Sequence, residues 1–158
     1  MGEFATTVQN YLREELSNQW PTLNWETEYQ IARTPVDVGG QDSKKLVLLE
    51  LEWRRADPAD NAAKLFRHLD TGSIEADTIE VFHVFTDYYD LKSGGISSKR
   101  KNAEFVGQVA ADSFEQLSYH PLEFEIDPPK RGEEWPTDWE MPADTVIRSI
   151  VDRFGGNL

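Results

Sequence analysis

The segment Lys45–Trp53 reads KLVLLELEW and is the most apolar stretch of the chain, yet it carries two carboxylates two positions apart. Side chains alternate along a strand, so Glu50 and Glu52 share one face while Leu49, Leu51 and Trp53 take the other, under a helix. Two like charges at that spacing on a buried strand repel and are costly to desolvate. A divalent cation removes the cost, and magnesium favours a few carboxylate oxygens completed by waters and phosphate oxygens. Asp37 ends the preceding strand. Antiparallel pairing across Gly39-Gly40 brings it close to Glu50, so that Asp37, Glu50 and Glu52 form a three-carboxylate set. Such a set suits activation of a water and stabilisation of a phosphoryl transition state.

The rest of the chain frames this strand. A helix is expected over Thr6–Ser17, ended by Trp20-Pro21, then strands over Trp25–Ile31 and Thr34–Val38 and a turn at Gly39–Ser43. Pro58–Leu69 has strong start signals for a helix, with Asp57 as N-cap and Pro58 at the first helical position. Ala62, Leu65, Phe66 and Leu69 form its apolar stripe. Ile79–Tyr88 contains VFHVF, apolar on both faces, and reads as a central strand. Ser98–Leu117 reads as a helix with Phe105, Val106, Val109, Ala110, Phe114 and Leu117 inward. Leu122, Phe124 and Ile126 alternate as a late strand, and a loop rich in Pro and Trp, with Trp135 and Trp139 expected as an exposed contact pair, leads to a helix over Ala143–Phe154. The result is an α/β chain of α+β type, a mixed sheet flanked by helices on both faces. With 158 residues and neither a repeat nor a linker, residues 1–158 form a single domain.

Composition excludes several classes. The chain has no cysteine, hence no disulfide framework, thiolate zinc site or cysteine nucleophile. No HxH or HExxH pattern is present; His68 and His120 are isolated, and His83 reads as a satisfied core histidine. The absence of a Walker loop or a G-x-G-x-x-G after a strand speaks against a nucleotide cofactor. No segment is apolar enough for a membrane span or a leader, so a cytoplasmic protein is expected. Acids outnumber bases by 29 to 16, for a net charge of −13. That opposes a general nucleic-acid coat protein but leaves room for a locally cationic cleft. With only seven lysines and scattered acids, the surface also suits high salt.

Pro35-Val36-Asp37, a twelve-residue gap and Glu50-Leu51-Glu52 resemble the PD-(D/E)XK nuclease superfamily, in its restriction-endonuclease-like branch with glutamate in place of the motif lysine. The stretch LELEWRRADPADNAAKLFRHL, Leu49–Leu69, is similar to restriction enzymes with ExEW, an Asp-Pro turn and a helix. The resemblance implies an αβββαβ core over about residues 6–88, with residues 89–158, including an extra C-terminal strand and helix, as family-specific decoration. It implies a DNA nuclease using Mg or Mn, with Asp37 and Glu50 as metal ligands and Glu52 binding metal or positioning the attacking water. Glu15, or its neighbour Glu14, resembles the helical acid that some of these nucleases add to the metal; Glu28 is a lesser candidate. With no lysine at position 52, the missing cation must come from elsewhere; Lys64, on a polar edge shared with Asn61 and His68, is the candidate. DNA contacts are expected from Arg54, Arg55, Asn61, Lys99, Arg100 and Lys101, and cutting both strands would suit a homodimer.

Each of these residues also has a plain structural reading. Glu50 and Glu52 could be an exposed acidic strand face paired with Lys44 or Arg54, and Asp37 an ordinary turn acid before Gly-Gly. Lys64 could be a solvated helix lysine. A second function class follows: an inactive nuclease-fold module that binds a protein or nucleic acid, in the extreme an acidic DNA mimic. Action on RNA or on a repair intermediate is a third.

Overall fold

The computed structural model describes residues 2–72 and 74–154. Helix α1 (Glu3–Gln19) precedes strands β1 (Asn24–Ile31), β2 (Thr34–Gln41) and β3 (Lys45–Glu52). Helix α2 (Pro58–Thr71), strand β4 (Thr78–Thr86), helix α3 (Ser98–Ser113), strand β5 (Leu117–Phe124) and helix α4 (Glu140–Arg153) follow. The five strands form one sheet in chain order. β1, β2 and β3 pair antiparallel, whereas β3–β4 and β4–β5 pair parallel. Parallel neighbours cannot be joined by a hairpin, so each crossover carries a helix, α2 and then α3. The fold is a mixed sheet of α+β type, and its α-β-β-β-α-β beginning is the order of a restriction-endonuclease-like core.

Strand β3 is apolar on both faces because it lies mid-sheet between two helical layers. Val47, Leu49 and Leu51 pack with Phe4, Val8, Leu12 and Leu16 of α1 and with Val146, Ile147 and Ile150 of α4. Leu46 and Leu48 pack on the opposite side with Ala62, Leu65 and Phe66 of α2 and Ala110 of α3. Glu50 and Glu52 continue this second face toward the C-terminal end of the strand. Asp57 caps α2, its carboxylate accepting from the Asp60 N–H, so the side chains at the start of α2 are fixed over that end. Among the described residues no helix is long and apolar enough to cross a membrane.

Four expectations are corrected. Gly39 and Gly40 are not a turn but lie inside β2, paired with Glu26 and Trp25. A Cβ at either position would overlap the ring of Tyr29 or Trp25, so glycine here makes room for aromatic rings lying on the strand. The turn itself is built by Asp42, whose carboxylate accepts from the N–H groups of Lys44 and Lys45. Helix α3 stops at Ser113; Phe105 and Val109 point to solvent, 69% and 46% exposed, because Ala103, Gly107 and Ala110 form the packed stripe. The late strand begins five residues earlier than expected, at Leu117. Of the two loop tryptophans expected to be exposed, Trp139 is buried against Phe4 and Tyr11, and only Trp135 is open.

Candidate active site

The β2–β3 register pairs Val38 with Leu49, and one step further would set Asp37 opposite Glu50. The backbone ladder ends there. Leu51 N–H donates instead to Asp37 Oδ2 at 2.7 Å, so a side chain replaces the lost carbonyl. On the other side, β1 turns aside at Glu28, whose φ is 50°, in the left-handed region. Gln9, 2% exposed on α1, reaches into the gap and donates through Nε2 to the Asp37 carbonyl at 2.5 Å and to Glu28 Oε1 at 3.2 Å. A helix and three strands therefore meet at Asp37.

The pair is electrostatically uncomfortable. Burial pushes the Asp37 carboxyl up to about 6, with Glu28 and Glu52 adding to the rise and the Leu51 N–H opposing it. Burial and then the Asp37 charge push Glu50 well above the usual carboxylate range, against the hydrogen bond from Asn61. When one of the two acids holds a proton, a hydrogen bond between the Asp37 and Glu50 side chains offsets part of the repulsion.

Glu52 is 1% exposed and turned inward. Asn61 Nδ2 of α2 donates to Glu52 Oε1 at 2.7 Å and to Glu50 Oε1 at 3.2 Å, tying the two carboxylates to one amide. His83 of β4, register partner of Glu50, lies with Nε2 2.8 Å from Glu52 Oε1 and Nδ1 2.7 Å from the Tyr119 hydroxyl. One tautomer satisfies the whole chain: Nε2–H donates to the carboxylate and Nδ1 accepts from the tyrosine. Arg55 Nε lies 3.8 Å from Glu52 Oε2, its side chain 61% exposed.

The other expected residues are distributed as follows. Lys64 is exposed on α2 and makes no ion pair among the described residues, while His68 bonds Thr34 at the start of β2. Glu15 lies near Tyr11, whose hydroxyl donates to Asp144 of α4 at 2.6 Å; α1 reaches Asp37 through Gln9 instead. Arg54 and Lys99 flank the Tyr88 ring, 5.5 and 5.2 Å from its centroid, and Lys101 is exposed. Arg100, expected beside Lys99 and Lys101 as a backbone contact, is 6% exposed. It lies over Phe85 and bridges Asp90, Glu104 and Glu123, because the first turn of α3 faces the end of the sheet. Sequence reasoning missed Gln9, His83 and Tyr119 as neighbours of the acids. The one available signal was parity, since a central strand beside β3 would place His83 on one of its two faces.

Among the described residues no group of three or more His, Asp or Glu side chains is arranged to hold a metal ion. Two carboxylates, Asp37 and Glu50, do converge. That set fits magnesium, which commonly takes one or two carboxylates and keeps its remaining positions for water and phosphate oxygens.

No protein-family model and no curated protein matches the chain. Among solved structures the chain is similar to one of an EndoMS–dsDNA complex, at 24% identity and a TM-score of 0.39. The match covers 77% of this chain, which spans less than half, 44%, of the other.

Proposed function

We propose that the protein is a divalent-cation-dependent nuclease that hydrolyses phosphodiester bonds in DNA. The observation that carries this reading is the meeting of Asp37 and Glu50 where β2 parts from β3, two half-buried acids whose mutual repulsion a cation would relieve. A cation held by these two carboxylates supplies Lewis-acid stabilisation of the phosphoryl oxygens and a water acidic enough to attack near neutral pH. Glu52 is held still by Asn61 and His83 and fixes the amide that also orients Glu50. Arg55, whose field reaches Glu50, takes the charge-stabilising role first given to Lys64. Arg54 and Lys99 beside it offer contacts to the DNA backbone.

A non-catalytic DNA-binding module is the second reading, favoured by the outward position of Lys64 and by a Glu52 already engaged on both sides. Titration calorimetry with magnesium and manganese, with and without a DNA duplex, separates the two when wild type is compared with Glu50→Ala. Heat of binding lost in the variant, together with metal-dependent nicking of plasmid by wild type only, is the expected result. Metal binding that survives Glu50→Ala, or DNA binding with no cleavage in either metal, moves the assignment to the module.

A further inference from the structure

A cleft of about 950 Å3 opens on the α1 side of the sheet, beginning one residue beyond Glu52. Its base is aromatic. Phe4, 7% exposed, packs edge-on against Trp53 at 5.6 Å and under Trp135 at 5.1 Å, and Trp135 is left 40% exposed. Its rim carries Arg54, Lys130 and Arg131, none of which is ion-paired among the described residues. The walls also hold two acids, Glu3 and Glu133. Glu133 is spent within the loop. Its Oε1 accepts from the Lys130 N–H at 2.6 Å while its own N–H returns to the Lys130 carbonyl, with Gly132 at a φ of 87° making the turn. The loop is thus closed by its own hydrogen bonds, and Lys130 and Arg131 stay exposed.

We infer that this cleft binds an unpaired strand of DNA, stacking a base on Trp135 and holding the adjoining phosphates with Arg54, Lys130 and Arg131. Three cations outnumber the two acids, Glu3 and Glu133, in one cleft of a chain of net charge −13, and that local excess favours an anion. The exposed indole on an immobile aromatic base selects a planar ring system, and nucleotide strands combine both properties. Paired bases are already stacked and offer no free face, so the cleft discriminates in favour of an overhang, gap or frayed end. The inference rests on the nuclease reading for its choice of DNA and adds the substrate's form: a duplex carrying a single-stranded segment that leaves the active site past Trp53.

The test is fluorescence anisotropy with labelled DNA in EDTA, so that neither metal nor cleavage enters. Three probes are compared: a blunt duplex, the same duplex with a six-nucleotide 3′ or 5′ overhang, and that overhang made abasic. The overhang is expected to bind wild type about tenfold more tightly than the blunt duplex, in line with stacking of one base. The preference should disappear with the abasic overhang and in Trp135→Ala, return in Trp135→Phe, and shrink in the surface double variant Lys130→Glu with Arg131→Glu. Equal binding of blunt and overhanging DNA, or a preference that Trp135→Ala leaves intact in a folded protein, overturns the cleft while leaving the nuclease reading standing. Failure of all three probes to bind overturns the cleft and removes the support for DNA as well.

Discussion

Asp37 is where sequence, fold and chemistry are most tightly bound together. Its Oδ2 closes the backbone ladder through Leu51, while its charge opposes that of Glu50. These two roles separate in Asp37→Asn, because the amide oxygen still accepts from Leu51 and the amide N–H can donate to Glu50. The carboxyl titrates at about 6 in the fold against about 3.8 in the open chain. Between those values the folded protein holds more protons than the unfolded one, so this group's contribution to stability falls as pH rises. Chemical denaturation of wild type and Asp37→Asn should agree below pH 4 and diverge above pH 6, with the variant more stable by about 2–3 kcal/mol. Magnesium should narrow that gap by stabilising wild type alone, and more strongly as pH rises past 6 and the protons leave. A variant less stable than wild type at pH 8 would mean that the carboxylate's hydrogen bonds outweigh its burial cost.

At the scale of elements, the sequence was most legible where one signal acted alone. Helix α2 announces itself by Asp57, Pro58 and an apolar stripe, and β3 by an unbroken apolar run. The hairpin between β2 and β3 was legible too, and with it the approach of Asp37 to Glu50. The glycine pair misled because the usual turn residue served a different need, space for the Trp25 and Tyr29 rings. In α3 Val106 and Ala110 marked the packed face, as Phe114 and Leu117 did just beyond it, but Phe105 and Val109 did not. Small residues pack there, and no hydrophobic period reports a contact made by glycine. His83 as the partner of Glu52, and Tyr119 as the partner of His83, were not legible because parallel pairing through two crossovers decides their register, and that information is spread over some 70 residues. Gly107 is the point where α3 meets this network. Alanine in a helix is ordinarily about 1 kcal/mol better than glycine. Here its Cβ would overlap the Tyr119 ring, which the bond to His83 and the edge of Phe66 hold in place. Gly107→Ala should therefore destabilise by about 1–2 kcal/mol, overpacking exceeding the propensity gain, as a lower urea midpoint with unchanged slope. A gain in stability would show that Tyr119 swings aside freely and that the Asn61–Glu52–His83–Tyr119 chain does not hold the site.

Over the whole molecule, charge is divided unevenly. The chain carries −13, yet Arg54 and Lys99 stand beside Tyr88, Lys130 and Arg131 share the cleft with Arg54, and Arg55 lies beside Glu52, all near an acid cluster of Asp87, Asp90, Glu123, Glu125 and Asp127. Salt should act on these two populations with opposite consequences. The scattered acids repel one another over distances comparable with the screening length, about 10 Å at 0.1 M and about 3 Å at 1 M. Potassium chloride should therefore stabilise the fold, by an amount on the order of 1–2 kcal/mol, seen as a rise in Tm of roughly 3–6 °C between those concentrations. DNA binding through these cations releases counterions from the phosphates and must weaken over the same range. If all five cations contact a duplex, log Kd rises with log salt at a slope of about 4 to 5. A thermal melt and an anisotropy titration across one potassium chloride series measure both. A Tm that falls with salt would place the dominant charge effect in attractive pairs rather than in acid–acid repulsion. A binding slope near zero would mean that the five cations do not act together on the backbone, and that DNA, if bound, meets the protein on another face.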